Sequence, residues 1–360
     1  MAVAEESTSV LVDRVLGLMD DASATGGSAA STLGARVPSA GRVGPSATRP
    51  APAPTGPVTP SPTVILRPNG EAYHVRDLLG KQDVEVLRQA RLRGLSVLLY
   101  GPPGTGKTAL VEAAFDPKTP TVVTPAGAAT ASTETQAQET VPIITKPVPE
   151  LFTLTGTGNT NVLDFLGGYV QLPDGTYEWV DGPLVRAMEG DGERGRALFI
   201  DEVMLIDTKV MAVVYSAMDG RGEITITANP RRGTVKARPG FYVCGAGNPK
   251  APGARMSEAL VSRFGLQFEV LTDYDLAREL GVNSRAVTAA LNMQKKTVKF
   301  EMSWAPQLRE LINFREVELA FGTQMACNNM ISCAPEIDRV TAADVLGRAM
   351  AMSVKELRLE

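Results

Sequence analysis

A chain of 360 residues with 44% hydrophobic content has material for a core of ordinary size and for two or three domains, and it falls in the soluble globular class. A net charge of -4 and an isoelectric point near 5.4 argue against binding dominated by a phosphate backbone, so nucleic acid is unsupported as a partner. One histidine (His74) and three cysteines (Cys244, Cys327, Cys333) without paired metal spacing exclude a zinc-site or disulfide-framework reading and fit a reducing compartment. The acidic flanks of the first apolar run and the lack of a bilayer-length apolar stretch predict a cytoplasmic chain without a membrane segment.

In chain order, residues 1–62 read as a disordered arm. Leu11, Val15 and Leu18 offer one stripe of a short helix, read first as a fraying one and second as a tethered docking helix, and 21–62 are Ala, Ser, Gly and Pro that cannot bury enough surface to offset ordering. From Val64 apolar runs alternate with helical segments, the pattern of a parallel sheet covered by helices, which predicts an αβα domain over 63–272. Its expected elements are a helix over 83–94 closed by Gly94, a buried strand over 95–100, a helix over 108–115 and a strand over 119–125. A small, polar surface loop over 126–140 follows. Next comes a hairpin in which "YVQL" and "TYEWV" flank Pro173, Asp174 and Gly175, then a helix "PLVRAM" and a short strand ending at Ile200. A second hairpin spans "GEITITANPRRGTVKAR", whose Arg231, Arg232, Lys236 and Arg238 read first as a solvated basic tip and second as a grip for an acidic segment. The strand "FYVCGAG" precedes Asn248, a helix from Ser257 ends at Arg263, and a last strand follows. Residues 273–360 read as helices only, a lid subdomain.

The chemistry concentrates at "YGPPGTGKTAL", which fits G-x-x-x-x-G-K-[ST] between a strand and a helix. Gly101, Pro102, Pro103, Gly104, Thr105 and Gly106 form a loop whose amides can close around phosphate oxygens, with Lys107, Thr108 and Ala109 opening the helix behind it. ATP with Mg²⁺ is the expected ligand pair. Lys107 supplies the cation to the β and γ oxygens and Thr108 a hydroxyl to the metal. Asp201, at the end of its strand, holds the metal, and Glu202 polarises the attacking water as general base. Asn248 can orient that water, although a turn role before Pro249 competes, and Arg263 can add charge to an anionic transition state from a neighbouring subunit, although a solvated helix end competes there.

The ordered set "GPPGTGKT", "LFIDE", "GAGNP" and "SEALVSRF" resembles the AAA+ ATPase superfamily, and the two hairpins resemble its MoxR branch. The resemblance covers residues 64 to about 350. It implies a homo-oligomeric, hexameric ring that hydrolyses ATP between subunits, with Walker A at Gly101 to Thr108, Walker B at Asp201 and Glu202, sensor 1 at Asn248 and an arginine finger at Arg263. Sensor 2 falls on Arg309, with Gln307 as the alternative. The implied work is chaperone-like remodelling of a protein partner, one with a von Willebrand factor type A domain among the candidates. A DNA-directed motor or loader, or a nucleotide-gated assembly protein with little turnover, would share these motifs.

Overall fold

The computed structural model describes residues 64–118 and 149–359, which belong to one compact unit. The expected arm, the strand at 119–125 and the loop at 126–140 lie outside the described residues.

Two short antiparallel pairs open the described chain: β1 (Val64–Leu66) with β2 (Ala72–His74), and β3 (Asp77–Leu78) with β4 (Lys81–Gln82). Helix α1 (Asp83–Leu92) has Asp83 and Glu85 in its first turn and Arg91 in its last, the arrangement its dipole favours. Strand β5 (Val97–Tyr100) runs into the glycine-rich loop and α2 (Lys107–Phe115), as the motif requires. After β6 (Leu151–Thr155) and α3 (Val162–Leu166), β7 (Gly167–Gln171) and β8 (Tyr177–Asp181) form the first hairpin around Pro173–Gly175. Tyr169 and Trp179 face each other across it, edge to face at 5.2 Å.

Helix α4 (Pro183–Glu189), β9 (Ala197–Asp201) and α5 (Thr208–Met218) follow, then the second hairpin, β10 (Glu223–Thr225) with β11 (Thr234–Lys236). Its basic tip is partly neutralised within the chain. Arg232 pairs with Asp181 of the first hairpin at 3.0 Å and with Glu189, and Lys236 lies 3.5 Å from Glu223. Arg231 and Arg238 make no ion pair among the described residues, so the solvated reading describes them.

Strand β12 (Tyr242–Gly247), α6 (Glu258–Arg263) and β13 (Leu266–Glu269) complete a five-stranded, all-parallel sheet in the order β13-β5-β12-β9-β6. Alternation along the strands divides its side chains between two cores. Leu98, Leu198, Ile200 and Val243 pack with α4, α5 and Phe264 on one face. Val97, Leu99, Phe199 and Cys244 pack with α1 and α2 on the other. The register sets Gly247 beside Tyr100 and Thr155 beside Asp201, so the carboxyl ends of the strands form one edge.

Beyond β13 the described chain is helical: α7 (Tyr274–Glu279), α8 (Ser284–Val298), α9 (Leu308–Phe321), α10 (Thr323–Ser332) and α11 (Arg339–Met350). They share a third core around Val287, Leu311, Phe314, Met330 and Leu346, with Ala286, Ala289 and Ala290 letting neighbours approach α8 closely.

Candidate active site

The loop after β5 owes its shape to glycines at 101, 104 and 106, with φ of +137°, +79° and +93°, a region that residues with a Cβ rarely enter. At Gly101 a Cβ would also stand 2.7 Å from the Val270 carbonyl oxygen. Lys107 is buried, and its Nζ donates to the carbonyls of Gly101 (2.9 Å) and Pro102 (2.7 Å). Burial pushes its pKa down, and the carboxylates of Glu202 and Asp201 act against that. Thr108, in the first turn of α2, donates its hydroxyl to Asp201 Oδ2 at 2.8 Å. Two residues far apart in the chain, expected to share one metal, are therefore already in contact.

Glu202, the next residue, has φ of +51°, a left-handed backbone that is uncommon for a residue with a side chain. Its Oε2 is buried without a hydrogen-bond partner among the described residues. It lines a cleft of about 490 Å³ together with Asp201, the loop from Pro103 to Ala109, and Leu276, Leu280 and Arg309 from the helical segment. Arg309 also closes on the loop through its backbone, which donates to Gly104 O at 3.2 Å. Gln307, the alternative at this place, is buried and occupied elsewhere: it accepts from the Thr272 hydroxyl at 2.6 Å and donates to Ala305 O at 2.8 Å.

Gly101, Pro102, Asn248 and Arg263 are not in the wall of this cleft. Asn248 sits one residue beyond β12 and accepts from Lys250 N at 3.0 Å, the turn role that competed with sensing. Arg263, at the end of α6, is exposed, with its guanidinium 6.0 Å from the Tyr215 ring centre.

One residue in the site carried no sequence signal. Arg76 lines the cleft and donates from Nη1 to Thr105 O in the phosphate loop (3.2 Å) and to Leu271 O just after β13 (3.3 Å). Its other edge meets the Tyr73 hydroxyl at 3.2 Å and Asp83 Oδ2 at 3.4 Å, and Tyr73 donates to Asp83. Arg76 thus ties the N-terminal strands, the phosphate loop and the lead into the helices. Asp83 is buried, so Arg76→Ala leaves its carboxylate hydrogen-bonded but without a counter-charge and is expected to destabilise the fold by about 3 kcal/mol, read as a lowered urea midpoint with an unchanged slope.

A phosphate loop between β5 and α2, an acidic pair ending a neighbouring parallel strand, and a helical cap over both define a P-loop protein of the AAA+ class. The family model described as "AAA domain (dynein-related subfamily)" matches residues 144–264, which hold the acidic pair and both hairpins. The chain is similar to the Holliday junction branch migration complex subunit RuvB of Campylobacter fetus, 34% identical over 35% of this chain and 38% of RuvB. It is similar to the denitrification regulatory protein NirQ of Pseudomonas aeruginosa (26% identical; 46% of this chain, 50% of NirQ). Protein NorQ of Paracoccus denitrificans is 28% identical over 46% of this chain and 48% of NorQ. The chain thus spans about half the length, or less, of these curated relatives. Together with the fold, these similarities support a protein of the AAA+ class and MoxR type.

Proposed function

We propose that the chain hydrolyses ATP in this cleft with Mg²⁺ and uses the cycle to remodel or activate a protein partner. The observation that carries the reading is Glu202. Leaving a carboxylate oxygen buried and unpaired costs about 1–3 kcal/mol, and a left-handed backbone at a residue with a side chain adds strain of similar size. A stable fold has no use for either, whereas a general base needs a free oxygen held in a fixed place.

The other side chains fit the same work. Lys107 would exchange its two loop carbonyls for phosphate oxygens, and Arg309 stands over the loop to add positive charge. Thr108 and Asp201 would hold the metal. Among the described residues no three His, Cys, Asp or Glu side chains gather to cage an ion, so Mg²⁺ would take its other ligands from phosphate and water, as it commonly does. When bound, the ion offsets charge on the phosphates. Asn248 would orient water only after giving up its turn, and Arg263 would act on a neighbour's nucleotide, which requires a ring, hexameric on the resemblance. NirQ is named a denitrification regulatory protein; the candidate partner module, a von Willebrand factor type A domain, comes from the family resemblance alone.

The similarity to RuvB favours a second reading, a DNA-directed motor using the same cleft. The net charge of -4 counts against it. No helix among the described residues is long and apolar enough to cross a membrane; we place the protein in the cytoplasm.

The test is ATP turnover per subunit, with and without Mg²⁺, across a wide range of protein concentration. Turnover that requires Mg²⁺ and climbs with concentration is expected. ATP binding without turnover at every concentration would leave a nucleotide-gated assembly protein. Stimulation by four-way-junction DNA at moderate salt would favour the motor.

A further inference from the structure

On the edge of the sheet opposite the phosphate loop lies a second concavity, of about 750 Å³. Its walls come from α1, the end of α2 and the residues that lead into β9 and β12. Four arginines line it, Arg88, Arg91, Arg194 and Arg196, against a single carboxylate, Glu150, with Phe115 and Phe241 as aromatic walls.

Three of these guanidiniums, those of Arg88, Arg91 and Arg196, are held rather than loose. Arg88 donates from Nε to Ala114 O (3.0 Å) and from Nη2 to Ala113 O (3.2 Å), at the end of α2. Arg91 uses the same two nitrogens on Gly240 O (3.4 and 3.2 Å), and its Nη2 also reaches Gly195 O (3.4 Å). Its charge lies 5.8 Å from the centre of the Phe115 ring. Neither arginine touches a carboxylate, and the Nη1 of each makes no hydrogen bond among the described residues. Arg196 pairs with Glu150 (2.8 Å) and Asp191 (2.9 Å) but keeps a buried, unpartnered Nε. The exposed Arg194 guanidinium has no ion pair among the described residues.

Carbonyl capping explains one edge of Arg88 and Arg91. It does not explain why Arg88, Arg91 and Arg194, none of them paired with a carboxylate among the described residues, share one concave wall. Arg88 and Arg91 are neighbours three apart on one helix face, where like charges repel. Burial pushes the Arg91 pKa down, and nearby Arg196 adds to this against the pull of Glu150. An anion with several oxygens would relieve all of these costs at once, and preset guanidinium edges suit phosphate oxygens. The volume lies in the range of small-molecule sites, and the two phenylalanines offer an apolar wall beside the charge.

We propose that this cleft is a second binding site, for a phosphate-bearing small molecule. Its phosphoryl oxygens sit on Arg88, Arg91 and Arg194, and its apolar part rests against Phe115 and Phe241. The proposal does not depend on what the phosphate loop does.

The test removes the loop as a competitor. In a Lys107→Ala chain, inorganic pyrophosphate is titrated by calorimetry at low salt, alone and with Arg91→Gln or Arg194→Gln added. Saturable one-site binding is expected, weakened about tenfold by each arginine substitution, the size of one charge-assisted hydrogen bond. Arg194 is exposed and unpaired, so its substitution leaves the fold intact even if Arg91→Gln loosens α1. No binding, or binding indifferent to both substitutions, overturns the proposal. Tighter binding of a poly-glutamate peptide than of pyrophosphate, lost with the same arginines, overturns it in favour of a protein segment as the ligand.

Discussion

Glu202→Gln is expected to bind MgATP about as tightly as the unaltered chain and to turn it over about 10²–10⁴-fold more slowly, the contribution typical of a positioned general base. The substitution keeps the shape of the side chain and the left-handed backbone at this position. It removes only the basicity of an oxygen that is buried without a hydrogen-bond partner among the described residues. Lys107, Thr108 and Asp201, which would contact phosphate and metal, are untouched, so affinity and rate should separate. The check is a nucleotide-binding isotherm beside steady-state turnover on the same samples. Turnover within a few-fold of the unaltered chain would take the base role away from Glu202, and the unpaired oxygen would need another explanation.

Arg263→Ala is expected to cost about 10³-fold or more in turnover, the scale of an arginine supplied across an interface to a phosphoryl-transfer site. ATP binding should persist, because Arg263 does not line the cleft of its own chain. Its exposure and its place outside the cleft wall leave two possibilities: a contribution to a neighbouring subunit, or the solvated end of α6. Mixing Arg263→Ala with Glu202→Gln distinguishes them. If the two residues serve one site from two subunits, the mixture regains activity that neither variant has alone, since some interfaces then carry an intact pair. A mixture as inactive as its parts, together with turnover that does not fall on dilution, would remove the interfacial site and with it the ring.

What the sequence alone determined is what local pattern can encode. A glycine loop needs positive φ within a few residues, a buried parallel strand reads as a short apolar run, and a Pro-Asp-Gly turn closes a hairpin. All of these rest on contacts between near neighbours. So the strand, loop and helix expected over 95–115, both hairpins, the strand leading into Asp201 and the helical C-terminal stretch were legible before any coordinates. Thr108 and Asp201 were expected to serve one metal; their direct hydrogen bond was not.

Only the tertiary structure decided the questions that turn on distant partners. Arg309 and Gln307 are two residues apart on similar sequence footing; the packing of α9 against the loop sets one in the cleft and gives the other to Thr272. Arg76 was silent in the sequence because its partners, Thr105 and Leu271, lie 29 and 195 residues away. Arg232 read as part of a solvated basic tip until its carboxylates appeared on the first hairpin, at Asp181, and on α4, at Glu189. The arginine cleft behind the sheet draws its walls from separate stretches of chain that meet only when the strands align. The physical reason is the same in each case: a long, flexible charged side chain takes its meaning from whatever the fold places within about 3 Å of its end, and no local pattern records that.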